Sequence, residues 1–540
     1  MNLEKLISKG YFTAELPPPF NTELLGKEAL NMFNYFQALN NGIKKDFQET
    51  LNLAYSVPKV GLSRRLMGIP NPIHQIELSK IIADNWAEIQ TLYARSTISS
   101  SKQIEDTTDE RATTMIDSFG NFKEKCLEQS FDKLFELKTD IQKYFPTIYT
   151  HSIPWAIHSK PVAKLKENRN DYTLLGNLLD RAIRNGQSGQ TIGIPIGPDT
   201  SRIISEILGC TFDKILTDKF NFVGFRYVDD CYFYFNSQSN AEEVFKHFQS
   251  TLTEYGLDIN EEKTIIKKQP FPFESKWVIE LSNYQIRKNQ RGQITDLKNF
   301  VSFALELVIK YPKDSVLKFA IKKLFYDKIY KNNWDLFESL IFRMGISEPV
   351  ILPEILKLLL TYQDWVNKDK LQRFLSSIIS EHVYKGHHFE VSWALWIAKS
   401  FSIELNESLA QQVFDSRDSI SILICLDMMQ RKLISETIDL SSIESEINQT
   451  GFVNEWWLLT YEGIVKKWIK PIPTDLLAKN KYFSELKKKK IEFYDSNRQL
   501  AKIEFRNPIL QPNAQIDKSK YNQTEVPEVT NTKQVIAVEY

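Results

Sequence analysis

The sequence predicts an α+β protein in two parts, a mixed strand-and-helix half followed by an all-α half. Three observations carry this. Most glycines and most strand-like runs fall within residues 51–280. Residues 221–235 read as two aromatic, β-branched strands around a tight turn. After about residue 285 glycine becomes scarce and apolar residues recur at helical spacing, as in Ile351, Ile355, Leu358, Leu359 and Tyr362.

At 540 residues the chain exceeds what one compact core accommodates. Residues 1–50 read as an N-terminal arm and helix, with Pro17-Pro18-Pro19 favouring extended backbone. Residues 51–285 form the mixed part; within them 96–114, polar and rich in Ser and Thr, read as a surface loop or insertion. Residues 286–508 carry successive amphipathic patterns with short breaks, which suggests an α-solenoid or irregular helical bundle. Residues 509–540, rich in Asn, Gln, Thr, Pro and Lys, read as a flexible tail.

The composition, 42% hydrophobic and 25% charged, is that of an ordinary globular chain. No apolar run reaches membrane-spanning length, and no secretory leader is visible at the N-terminus. The four cysteines are scattered without a C-x-x-C pair, which excludes a zinc ribbon and a disulfide framework and points to a reducing, cytoplasmic setting. Net charge is zero, so any hold on nucleic acid must come from local basic stripes.

The chemistry concentrates in Phe225-Arg226-Tyr227-Val228-Asp229-Asp230. Two adjacent carboxylates at a hairpin turn repel each other unless a cation lies between them, and a hard divalent ion prefers such oxygen ligands. Asp140, at the end of a strand-like run, offers a third carboxylate, as two-metal nucleotidyl transfer requires. Between them lies a Gly/Pro turn, Gly193-Ile194-Pro195-Ile196-Gly197-Pro198, which lets backbone approach a nucleotide closely. Upstream, Lys59, Arg64 and Arg65 supply cations that could clamp a triphosphate. Downstream, Lys263 could protonate a leaving pyrophosphate.

Each signal is ordinary alone. In this order they resemble the fingers and palm of reverse transcriptases over about residues 50–270. The resemblance implies Asp140, Asp229 and Asp230 as ligands of two Mg²⁺ ions, with Mn²⁺ a possible substitute and the Ile141 carbonyl adding a ligand. It implies Phe145 as the gate against a ribose 2′-hydroxyl, and Lys59, Arg64, Arg65 and Gly197 as contacts to the incoming dNTP. Tyr149-Thr150-His151-Ser152-Ile153-Pro154-Trp155-Ala156 and Ser201-Arg202-Ile203-Ile204-Ser205-Glu206 narrow the resemblance to the abortive-infection, AbiK-like reverse transcriptases of bacterial antiphage defence. That group implies a HEAT-like helical domain after the palm, a homo-oligomer, and template-independent DNA synthesis primed on a protein tyrosine. The single-stranded DNA product would then stay covalently attached. Related defence enzymes copy a companion noncoding RNA instead. A catalytically silent RNA-binding sensor of infection is the reading from a different class.

Ile196 stands where common reverse transcriptases carry a Gln that seats the template–primer pair. This departure agrees with template-independent synthesis. A priming tyrosine needs a mobile or extended segment, which leaves Tyr11 beside the proline arm and Tyr521 and Tyr540 on the tail. His387-His388 reads as an exposed helix connection, because no Cys or further His is evident at ligand spacing.

Overall fold

The computed structural model describes residues 1–39, 48–59, 61, 63–435 and 437–503. The chain opens with α1 (Leu3–Ser8) and α2 (Glu23–Leu39), which pack on each other. Residues 9–22 between them carry no helix, as the proline run dictates. They are strapped down: Trp393 Nε1 donates to the Glu15 carbonyl (2.8 Å), and Phe20 pairs with Tyr494 as an isolated bridge.

Next comes an antiparallel hairpin, β1 (Leu53–Pro58) and β2 (Arg64–Ile69), with Pro58 opposite Arg64. Helices α3 (Pro72–Asp84) and α4 (Trp86–Tyr93) lead to a second hairpin, β3 (Gln103–Glu105) and β4 (Thr113–Met115), and to α5 (Phe119–Ser130). The Ser-rich run expected as a surface loop is corrected here. Ser96, Ser100 and Ser101 are buried, because their neighbourhood contains buried carboxylates that need donors: Ser96 Oγ donates to Asp213 (2.7 Å) and Ser101 Oγ to Glu206 (2.9 Å).

Then follow β5 (Phe135–Asp140), α6 (Tyr144–Thr147), α7 (Ser152–His158), α8 (Lys160–Ala163), α9 (Leu175–Asn185), α10 (Asp199–Lys219), β6 (Val223–Tyr227), β7 (Asp230–Phe235), α11 (Gln238–Glu254) and β8 (Ile265–Lys268). Four of these strands form one antiparallel sheet in the order β6-β7-β5-β8. Side chains alternate along β7 with period two. Cys231, Phe233 and Phe235 enter the core under α10 and α11 with Leu137, Ile203, Ile207 and Phe248. Tyr232 and Tyr234 take the other face, with Phe122 and Phe225. The sheet is thus covered on both sides, and its chemistry is confined to the end where β5 stops and the β6–β7 turn lies.

The second half is helical: α12 (Lys276–Asn283), α13 (Gln290–Lys310), α14 (Val316–Leu324), α15 (Trp334–Ser347), α16 (Leu352–Thr361), α17 (Lys368–His382), α18 (His388–Ser400), α19 (Glu407–Asp415), α20 (Ser419–Gln430), α21 (Ser441–Glu444), α22 (Trp457–Val465), α23 (Leu476–Lys479) and α24 (Lys481–Lys488). Near neighbours in sequence pack on each other, α13 on α14 and α15, α17 on α18, α18 on α20, and α20 on α22. Their core is continuous with the first hairpin: Leu53, Tyr55, Met67 and Ile69 share one hydrophobic cluster with Trp393, Trp457 and Phe493. The β1–β2 hairpin is therefore anchored by the helical half, not by the four-stranded sheet. Among the described residues no helix is long and apolar enough to cross a membrane. The expected tail, 509–540, lies outside the described residues.

Candidate active site

The turn between β6 and β7 is built under strain. Val228 adopts φ +59°, a region that β-branched residues disfavour. Two bonds hold it there. Its N–H donates to Ser101 Oγ (2.9 Å), and its carbonyl accepts from the Arg226 guanidinium (3.0 Å). Arg226 is itself fully buried between β6 and α10, paired with Glu206 (2.8 Å) and Asp213 (2.9 Å). Gly209 makes room for it, since a Cβ there would meet Arg226 Cζ at 2.5 Å. This buried ion triad fixes the backbone immediately before Asp229.

Register brings the aspartates together. Asp140 ends β5 directly opposite Asp230 at the start of β7. The Ile141 N–H donates to the Asp229 carbonyl (3.1 Å), tying the two strand ends. The segment after α11 closes the third side. Asn260 N–H donates to the Asp140 carbonyl (2.7 Å) and Asn260 Nδ2 to Asp140 Oδ1 (3.1 Å), while Lys263 Nζ donates to Asp140 Oδ2 (2.6 Å).

The electrostatics follow from this crowding. Burial, then the charges of Asp230 and Asp140, push Asp229 up to about 7. Burial also raises Asp230, with Asp140 adding to the shift and Lys263 opposing it. Burial alone would lower Lys263, but its bond to Asp140 and the nearby carboxylates outweigh that and raise it. One ammonium faces three carboxylates, so the site keeps a negative excess. The donors are all hard oxygens, a set suited to Mg²⁺. Among the described residues, the three-residue set whose ligand atoms all lie within 4.8 Å is His382, His387 and Glu390, elsewhere in the fold.

The expected nucleotide contacts divide. Lys59 and Arg65 are exposed at the turn end of the β1–β2 hairpin, where Pro58 faces Arg64 and Val57 faces Arg65. Burial, then the positive charges of Arg65 and Lys263, lower the Lys59 pKa, while Asp229 and Asp140 oppose. Lys59 therefore lies within electrostatic reach of the aspartates. Arg64 does not join them. Its fork grips Glu390 on α18 at 2.7 and 2.8 Å and its Nε donates to Ser56 Oγ (2.6 Å), because alternation along β2 turns it toward the helical half. The expectation of Arg64 as a triphosphate ligand is corrected accordingly. Arg65→Ala raises the dNTP KM about tenfold or more with little change in thermal stability. Arg64→Ala leaves Glu390 buried and unpaired, so its main effect is a lower melting temperature. Steady-state kinetics and calorimetry on both variants separate the two roles.

Phe145 is half-buried on α6, and its carbonyl accepts from Ile194 N–H (3.0 Å). The Gly/Pro turn thereby contacts the segment after Asp140. It also reaches the hairpin, where Gly68 N–H donates to the Ile196 carbonyl (2.9 Å). Ile196 packs against the large helical core. Gly197 has φ +126°, and its carbonyl accepts from Arg111 (3.3 Å). Tyr11 is wholly buried and donates to the Pro70 carbonyl; burial raises its pKa far above the ordinary phenol value. The expectation of Tyr11 on a mobile arm is corrected, because residues around it enter the helical core. Tyr521 and Tyr540 lie outside the described residues.

Sequence reasoning missed the positioning roles of Ser101 and Arg226. A charged residue on the inward side of an aromatic strand, three positions before an acidic pair, is the signal that was available for Arg226. Ser101 had none beyond its Ser-rich context.

Residues 57–274, which hold this whole arrangement, match the family model described as reverse transcriptase (RNA-dependent DNA polymerase). The segment is a reverse transcriptase domain. No curated protein matches the chain. Among solved structures, the chain is similar to apo telomerase from Candida tropicalis at 13% identity, covering 80% of this chain and 76% of that one with a TM-score of 0.31. It is also similar to telomerase from the same organism in complex with a TWJ fragment of telomeric RNA, at 15% identity, with 78% and 71% covered and a TM-score of 0.30. The reverse transcriptase domain ends before α12, and the helices that follow it lie beyond the matched residues.

Proposed function

We propose that this chain is a DNA nucleotidyltransferase of antiphage defence, which polymerises dNTPs from a protein tyrosine without a nucleic-acid template. The observation that carries the polymerase reading is the pairing of Asp140 with Asp230 across β5 and β7, with Asp229 in the adjoining turn. Two Mg²⁺ ions held by these carboxylates and the Ile141 carbonyl would supply activation of the attacking hydroxyl and neutralisation of the triphosphate. Lys263, bonded to Asp140, would give its proton to the departing pyrophosphate. Lys59, within electrostatic reach of Asp229 and Asp140, and Arg65 beside it offer charge to the triphosphate. Phe145 serves as the sugar gate. Phe145→Ala narrows the preference for dNTPs over rNTPs by about 10–100-fold, which competitive incorporation measures; an unchanged ratio removes Phe145 from that role.

Template independence is supported by Ile196. Its side chain packs into the core and offers no polar group to a base pair. With Tyr11 buried, the priming reading now rests on Tyr521 and Tyr540. Peptide mapping after synthesis and nuclease digestion tests it: a nucleotide adduct on one of the two supports it, and unmodified tyrosines throughout contradict it. The helical half is read as the HEAT-like domain of the defence group and as the scaffold of a homo-oligomer, which light scattering on the purified protein tests.

A further inference from the structure

At the α17–α18 junction the chain ends one helix at His382, turns through Gly386 and starts the next at His388. Gly386 takes φ +63°, a left-handed conformation that reverses the chain within one turn. The reversal brings His387 back onto His382, so that their Nδ1 atoms stand 2.7 Å apart. Glu390, one helical turn further, places Oε1 3.7 Å from the His387 Nδ1. All three ligand atoms lie within 4.8 Å of one another. From sequence His387-His388 reads as an exposed connection with no Cys or further His at ligand spacing; the turn at Gly386 supplies His382 and Glu390 as partners.

We propose that His382, His387 and Glu390 form a binding site for one transition-metal ion of the Zn²⁺ class, separate from the aspartate site. Two imidazoles and a carboxylate are a recurrent zinc donor set, with water in the fourth position. Ligand nitrogens about 2.0–2.1 Å from a tetrahedral ion stand roughly 3.3 Å apart. The observed spacings of 2.7 and 3.7 Å bracket that value, so small side-chain rotations admit the ion. Both imidazoles bind through Nδ1, and the proton now shared between those atoms moves to Nε2, with no net proton release. Burial lowers the pKa of both histidines, which favours the neutral form a metal takes.

The surroundings are those of an organised site. Glu390 is buried, and Arg64 donates to both of its oxygens, leaving a lone pair of Oε1 toward the histidines. His388, beside the pair, accepts from Ser56 N–H on β1 (3.2 Å). The ion would therefore sit where the β1–β2 hairpin docks on the helical half. Imidazole donors select against Mg²⁺, so this site and the aspartates take different ions.

The test uses the full chain carrying Asp140→Asn, Asp229→Asn and Asp230→Asn, stripped with chelator and titrated with Co²⁺ as an optical stand-in for Zn²⁺. One equivalent of Co²⁺ with visible absorption, displaced by Zn²⁺ but not by excess Mg²⁺, is expected. Adding His382→Gln and His387→Gln abolishes it. Should that variant fail to fold by circular dichroism, Glu390→Gln in the same background must weaken binding by more than the 10–100-fold typical of outer-shell partners. Absence of Co²⁺ absorption, or absorption indifferent to these substitutions, overturns the proposal.

Discussion

Asp140→Asn and Asp230→Asn each lower nucleotide incorporation by about 10³-fold or more, with the fold intact. The two side chains meet across paired strands, and neither makes a contact that the β5–β7 ladder needs. Their loss removes charge from the place where a triphosphate reacts, and preorganised electrostatics of this kind dominates phosphoryl chemistry. Asp229→Asn has a further signature. Its folded pKa of about 7 lies above the ordinary 3.8, so between those values the folded state binds more protons than the unfolded state. The contribution of this group to stability is therefore present below about pH 4 and is lost as pH rises through 7. Without divalent ions, the wild-type melting temperature falls over that window, and Asp229→Asn flattens the fall. Added Mg²⁺ raises the wild-type melting temperature more at pH 8 than at pH 6. Differential scanning calorimetry reads both effects, and a pH-independent Mg²⁺ response would show that Asp229 is not a ligand.

Arg226→Met is the most destabilising single change expected in the reverse transcriptase domain. It strands Glu206 and Asp213, both buried, without their counter-charge. Breaking such a triad costs about 3–5 kcal/mol, a large part of the 5–15 kcal/mol that holds a typical domain. Replacing Glu206 with Met and Asp213 with Leu in the same chain recovers much of that loss, because an apolar core needs no counter-charges. Activity does not recover with it. Val228 still lacks the donor to its carbonyl, and the strained turn that aims Asp229 relaxes. Urea unfolding and incorporation assays on the single and triple variants check both halves. Recovery of activity in the triple variant would assign Arg226 to folding alone.

How much of this was legible in the sequence depends on the range of the interactions. The β6–β7 hairpin was readable because β-branched and aromatic alternation is local, and Asp229 and Asp230 sit at its turn. Asp140 and Lys263 were readable only through their order along the chain, since β5 and the Asn260–Lys263 segment meet by register. The helical half was readable from spacing such as Ile351 to Tyr362. What was not legible is where side chains of one element are used by another. Arg64 and Arg65 are neighbours in a basic run, yet alternation sends one to Glu390, 326 residues away, and leaves the other exposed. The Ser96–Ser101 run looked like a loop because its buried partners, Glu206 and Asp213, are more than 100 residues distant. Tyr11 looked available because nothing local announces the Pro70 carbonyl or the helical core that covers it. The His382–His387–Glu390 set needed the left-handed turn at Gly386 to become visible.

The proposed function is synthesis of DNA without a template on one of the chain's own tyrosines. The most direct measurement incubates purified protein with Mg²⁺ and labelled dNTPs, adds no template, and compares denaturing gels with and without RNase pretreatment and proteinase. The expected result is label that migrates with the protein, collapses to free DNA on proteolysis and survives RNase. Incorporation abolished by RNase would contradict template independence. Labelled DNA that migrates free of protein before proteolysis would contradict tyrosine priming, and an absence of incorporation under all conditions would contradict the polymerase reading for the isolated chain.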